Sequence, residues 1–266
     1  MSAMTPAAPD VSSRRAPAFG GFSLTVLRIE VRRLVRNRRA MLFTLVMPVF
    51  FFLLFGLNGN YANAKAGQGN VSAVIMISMA LYGAILATAN GGAAVSIERS
   101  LCWSRQLRLT PLTPIAYIVT KMFTAMVLGL MSVIGVFGAG LISHKPGMPV
   151  HLWVITFLCV WLGSLVFAAF GLFMGYLLPT DNVMQIMSFA LMLFAFSGGL
   201  LIPLNQMSQG LQTVASFTPV YGLNALVHAP LMGASVGIWP VVNVLVWLAI
   251  FVGGAVLRMR KDTARV

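Results

Sequence analysis

A chain of 266 residues in which 59% are hydrophobic and only 9% charged is not an ordinary soluble domain, where about a quarter carry charge. Its formal net charge of +13 would suit nucleic acid, but the lysines and arginines sit in blocks between apolar runs. Those runs reach about 18 residues or more, the length that crosses roughly 30 Å of hydrocarbon, so this is an integral membrane protein.

Residues 1–21 are rich in Ala, Pro and Ser and read as a disordered cytoplasmic tail. From Phe22 to Arg39 the pattern becomes an amphipathic helix. Leu24, Leu27, Val31, Leu34 and Val35 share one face, and Arg28, Arg32, Arg36 and Arg39 line an adjacent one. A basic stripe beside an aliphatic one suits the membrane interface, with the arginines on anionic lipid headgroups. The plainer alternative is a helix that binds a soluble partner.

The first span is expected at 40–57, with Pro48 inside it. Ala62-Asn63-Ala64 resembles a signal-peptidase site, but the charged stretch before the apolar run is far too long for a signal peptide. A polar loop, 58–70, leads to a second span at 71–97, rich in small residues such as Gly83, Ala87, Gly91 and Gly92 that allow close helix approach. Asn90 is its strongly polar interior residue and suits a hydrogen bond to a neighbouring helix.

The segment from Glu98 to Pro114 carries Arg99, Arg105 and Arg108 among leucines, together with an apolar Trp103. Its middle is helix-competent and ends at Pro111 and Pro114, since proline lacks the amide proton. The bland reading is a solvated loop. Its length, its amphipathic pattern and Trp103 favour a surface that wants a partner.

A third span follows at 115–142, then a short loop with Pro146 and Pro149. The fourth span, 152–178, contains the pair Gly171 and Gly175, read as general helix packing. Pro179-Thr180-Asp181-Asn182 is a tight turn into a fifth span at 183–202. From Leu204 to Gly237 the chain is too polar and broken to span. It reads as one or two short exterior helices with breaks at Pro219, Pro230 and Gly233. The sixth span is 238–257, followed by a basic tail.

Sixteen of the eighteen Lys and Arg fall on one side of this layout; Lys65 and Lys145 fall on the other. That asymmetry places both termini in the cytoplasm. Cys102 and Cys159 lie in different environments, so no disulfide framework follows. His144, His151 and His228 map to exterior loops and read as surface histidines.

The run Ile-Glu-Arg…Trp-Ser-Arg-Gln-Leu-Arg-Leu-Thr-Pro-Leu-Thr-Pro resembles the first cytoplasmic coupling segment of ABC type-2 exporter permeases. Those proteins carry Glu-Arg-Glu-x-Gly there, followed by a basic, leucine-containing turn and Thr-Pro-Leu. Glu98, Arg99, Leu107, Arg108, Thr110, Pro111 and Leu112 keep the pattern; Ser100 and Cys102 depart from it. The Ser197-Gly198-Gly199…Pro203 ending of the fifth span and the layout from Phe22 to Leu257 are also similar to that family.

The resemblance implies an all-α integral membrane fold of six spans, with an N-terminal elbow helix at 22–39 and short exterior helices between spans five and six. It also implies a dimer, in the cytoplasmic (inner) membrane, with two copies of a P-loop ATPase subunit docked below. Glu98 to Leu112 would be the coupling helix, with Leu101, Trp103 and Leu107 as apolar anchors and Arg99, Arg105 and Arg108 as charged contacts. Candidate lining residues of a translocation path are Asn90 on the second span and Phe194, Phe196 and Ser197 on the fifth.

The chain has no Gly-x-x-x-x-Gly-Lys-Ser/Thr, so ATP and Mg²⁺ would be held by the partner and no cofactor or catalytic residue is expected here. No span carries an acidic residue at its middle, which weakens the reading as a proton- or sodium-coupled carrier. A non-transporting scaffold of a signalling complex is the remaining alternative. The apolar, Phe- and Met-rich wall suits hydrophobic or amphipathic cargo such as drugs or lipids.

Overall fold

The computed structural model describes residues 24–36, 38–57, 62–101, 114–201 and 204–264. Helix α1 (Leu24–Arg36) precedes α2 (Arg38–Phe51), which holds Pro48 and runs into a π-helical turn, Phe52–Gly56. Pro48 withholds one backbone donor from the helix ladder, and its ring packs against Gly83. A hairpin of two-residue strands, Lys65–Ala66 and Gly69–Asn70, turns at Gly67 with φ +59°. The loop expected at 58–70 therefore ends in a small piece of β-structure inside an otherwise helical protein.

Asn70 caps α3 (Val71–Ala93) by accepting the Ala73 amide at 2.9 Å. The same side chain donates to Lys145 O (2.7 Å) and accepts from the Gly147 amide (3.0 Å), which ties the hairpin to the loop after the third span. Beyond Ala94 the helix resumes as α4 (Val95–Ser100). Then come α5 (Pro114–Ser143), α6 (Val150–Gly163), α7 (Leu165–Leu177) and α8 (Thr180–Ser197). Residues 204–237 form a 3-10 turn (Leu204–Gln206), α9 (Gln209–Ser216) and α10 (Pro219–Met232); α11 (Ile238–Ala264) completes the chain. Pro219 opens α10 at its first turn, where a missing amide is harmless. Pro230 lies within α10, and the helix ends one turn later at Gly233, φ +63°. The break expected at Gly233 is found, whereas the one expected at Pro230 is not: Pro230 stays inside the helix, where a proline within a turn of the end costs little of the ladder.

Among the described residues, four helices are long and apolar enough to cross a membrane: Val71–Ser100, Ile115–Ser143, Val150–Leu177 and Ile238–Met259. Where the first and fifth spans were expected stand α2 with its π-turn, Arg38 to Gly56, and α8, Thr180–Ser197. The chain is an all-α, multi-pass membrane protein.

Its centre is α3, which packs against α5 and α7 and buries most of its own surface. Small residues make that position possible. A Cβ on Gly171 would stand 2.0 Å from Ala89 O, and one on Gly92 would stand 2.5 Å from Ala168 O. With no side chain at either position, the two backbones approach to contact. Around this seam, Phe167, Phe170 and Phe194 meet edge-on, and Phe170 also meets Phe251 at 5.1 Å between centroids. The last helix also finishes α9: Trp239 Nε1 and Asn243 Nδ2 donate to Ser216 O (3.3 and 3.1 Å), and Trp247 Nε1 donates to Phe217 O (2.8 Å). Carbonyls at a helix end have no partner within the helix, and these donors supply one.

Candidate functional site

At the end of the bundle that carries the arginine-rich α1, three elements converge on one carboxylate. Glu30 and Arg33 share a face of α1 at i, i+3, and Tyr117 and Lys121 share a face of α5 at i, i+4. Glu98, on α4, is 3% exposed between them. Its Oε1 accepts from Lys121 Nζ at 2.5 Å and from Arg33 Nη2, and its Oε2 accepts from the Tyr117 hydroxyl at 2.6 Å. Lys121 Nζ also lies 2.7 Å from Glu30 Oε2, an ion pair without hydrogen-bond alignment, and Arg33 lies 3.3 Å from the same oxygen. Lys121 is itself 4% exposed.

Two carboxylates face two cations, so the cluster is neutral overall. That balance is what makes it tolerable: a buried charge without a partner is strongly unfavourable. At Arg33, on the rim, burial opposes the charge, but the Glu98 and Glu30 carboxylates outweigh it and its pKa is raised.

The next residue binds elsewhere. Arg99 Nη1 donates to Gly175 O and Tyr176 O, both at 3.1 Å, and its guanidinium lies 5.6 Å from the Tyr176 ring centroid. These carbonyls belong to the last turn of α7, where a cation also complements the helix dipole. The start of the expected coupling segment is therefore held on both sides, Glu98 by α1 and α5 and Arg99 by α7. Leu101 is exposed. Trp103, Arg105, Leu107, Arg108, Thr110 and Pro111 lie outside the described residues, as does the tail 1–21.

On α1 itself, Arg28, Arg32 and Arg36 are exposed, and the side chain of Arg39 lies outside the described residues. Leu27 and Val31 are half-buried, while Leu24 and Ile29 are exposed. The buried stripe of α1 thus contains Glu30, which the hydrophobic pattern alone assigns to no face. The signal that could have found the cluster is a Glu inside a helix of arginines, together with Lys121 inside an apolar run.

The four candidate lining residues are not alike. Asn90 is half-buried on α3. Phe194 is part of the aromatic packing, with ring centroids 5.5 Å from Phe170 and 6.1 Å from Phe167. Phe196 is exposed, and the Ser197 hydroxyl donates to Phe194 O of its own helix at 3.4 Å. His228 corrects the expectation of surface histidines in loops: it lies within α10, where its ring meets Ser78 Oγ at 3.1 Å and Asn224 O at 3.0 Å. The segment folds back onto α3, a contact 150 residues long in sequence that no local pattern encodes.

Comparison with known proteins agrees with this architecture. The family model for the ABC-2 type transporter matches residues 23–230. The chain is also 26% identical over 194 residues to YvfS of Bacillus subtilis (strain 168), which bears the name of a transport permease. That similarity covers 72% of this chain and 78% of the relative.

Proposed function

Because this chain belongs to the ABC-2 type transporter family, we propose that it is the permease subunit of an ATP-driven exporter that moves a hydrophobic or amphipathic molecule out of the cytoplasm. ATP and Mg²⁺ are bound by a separate P-loop ATPase, present in two copies. The working unit is a dimer of six-span subunits, in which Thr44–Gly56 and Asn182–Ser197 take the first and fifth positions. A homodimer is the default, since symmetric assemblies predominate. The basic termini and α1 face the cytoplasm of a bacterial-type inner membrane, with Arg28, Arg32, Arg36 and Arg39 on anionic headgroups.

One observation carries this reading. Glu98 and Arg99 fasten the start of the segment 98–114 to α1, α5 and α7 at once. A movement imposed on that segment by a closing ATPase would reach three helices together instead of being absorbed by a slack loop.

The test is co-expression with the P-loop ATPase of the neighbouring reading frame, followed by uptake into inside-out vesicles. ATP-dependent accumulation that stops when the ATPase lysine is replaced supports the reading. Accumulation that follows a proton or sodium gradient without ATP would make the chain a secondary carrier. Membrane insertion and ATPase binding with no transport of any hydrophobic probe would make it a scaffold.

A further inference from the structure

At the end of the bundle opposite the ionic cluster, a cavity of about 690 Å³ opens between the π-turn after α2, the first turns of α3, the chain after α8, and α10. Its walls are apolar apart from Gln206 and a strip in which Ser78 and His228 stand beside Asn224. His228 Nδ1 lies 3.0 Å from Asn224 O, and Nε2 lies 3.1 Å from Ser78 Oγ and 3.4 Å from Val74 O. Asn224 Nδ2 donates to Gly198 O at 2.8 Å, which fixes the amide and leaves Oδ1 as the free end. That oxygen is buried, and among the described residues nothing donates to it. A buried acceptor without a donor is uncommon and calls for an explanation.

The cavity wall holds no Asp, Glu, Lys or Arg among the described residues. A charged molecule entering it would lose water and find no counter-ion, whereas a neutral one would lose only the solvation of its polar group. The volume lies within the range of drug-sized ligand sites. We propose that this cavity binds an uncharged amphiphile, an apolar molecule bearing a hydroxyl or amide N–H, whose donor is taken by Asn224 Oδ1 and whose body lies against Phe55, Met79 and Leu204. The site depends on the permease reading for its place in transport, but not for its chemistry.

Two photoreactive probes with one scaffold test it on the full chain in lipid nanodiscs. 4-(Hydroxymethyl)benzophenone is neutral with a hydroxyl donor; (4-benzoylbenzyl)trimethylammonium puts a fixed charge at the same place. The alcohol is expected to label Met79, Leu200, Leu201 and Leu204 saturably, and the ammonium about tenfold less, the scale of one lost polar contact. Asn224→Leu should reduce labelling by the alcohol to a similar degree. Because Asn224 also holds Gly198, Leu204→Trp provides a second variant: Leu204 and Asn224 both lie against Gly199, so the added ring narrows the cavity beside the Asn224 amide and should reduce labelling to a similar degree in monodisperse protein.

Equal labelling by both probes, unsaturable labelling spread over lipid-facing residues, or labelling undiminished by Leu204→Trp overturns the proposal. The expected profile in a chain that fails ATP-dependent export keeps the site and sinks the permease reading. Export without such labelling does the reverse.

Discussion

The Lys121 ammonium lies 2.5 Å from the Glu98 carboxylate, and both side chains are almost wholly buried. In that setting the sign of a mutational effect depends on what is left behind. Lys121→Met strands the Glu98 and Glu30 charges and should cost about 3–5 kcal/mol of stability. The double variant Lys121→Met/Glu98→Gln leaves fewer unpaired charges and should cost clearly less than the sum of the two single changes. Arg33→Ala, on the exposed rim, should cost about 1 kcal/mol. Thermal unfolding of the purified variants in one detergent checks the order, and additive single effects would rule out a coupled cluster.

The coupling segment separates anchors from rim charges. If it seats in a groove of an ATPase, Trp103→Ala should cost roughly 2 kcal/mol or more of partner binding, and Arg105→Ala about 1 kcal/mol or less. Co-purification of the ATPase with each variant, alongside transport-linked ATP hydrolysis, measures this. A Trp103→Ala protein that reaches the membrane with both properties unchanged returns the segment to the status of a solvated loop.

Two glycines of opposite surroundings make a paired prediction. A methyl on Gly171 meets the Ala89 carbonyl, a backbone atom that cannot swing aside, so Gly171→Ala should destabilise by about 1–3 kcal/mol or prevent assembly. At Gly253, in α11, a methyl group would meet nothing within 4 Å, and Gly253→Ala should be neutral or stabilise by about 0.5–1 kcal/mol. Melting curves of the two variants against the parent decide it; equal effects would mean that the α3–α7 seam is looser than described.

His228 gives the protein an acid-sensitive point. Burial pushes its pKa below the ordinary value of about 6.5, although bonds to the Asn224 and Val74 carbonyls oppose that. The folded form therefore binds fewer protons than the unfolded form. The stability this contributes is complete above pH about 6.5 and is lost as the pH falls toward the lowered folded-state pKa. Melting temperature should drop between neutral pH and pH about 5 more in the parent than in His228→Gln, whose amide does not titrate there. Identical pH profiles would remove His228 as the cause.

Much of this architecture is legible in the sequence, because burial in a membrane is written locally. The apolar runs at 71–97, 115–142, 152–178 and 238–257 reappear as the four long helices, and the small residues of the second run are what admit it to the centre. The runs around 40–57 and 183–202 reappear as α2 with its π-turn, Arg38 to Gly56, and as α8, Thr180–Ser197, which ends at Ser197-Gly198-Gly199 before residue 202. What escapes a linear reading is the meeting of distant residues. Glu30, Glu98 and Lys121 each look like an isolated charge in its own segment until the fold closes them around one another. Phe194 suits a pathway wall for the same reason that it suits a core, since both roles want a large aromatic ring.

The donors that α11 lends to α9 bear on how the protein is made. Ser216 and Phe217 leave the ribosome ahead of Trp239, Asn243 and Trp247, which donate to them in the finished fold. Until the final helix inserts, the carbonyls at the end of α9 have only water or lipid headgroups to satisfy them, so residues 204–237 have no settled dry conformation to adopt. Completion of this face of the molecule is therefore tied to translation of the C-terminal helix. A ribosome that stalls before Trp239 would release a chain whose unfinished polar surface is the kind of feature that membrane quality-control proteases recognise.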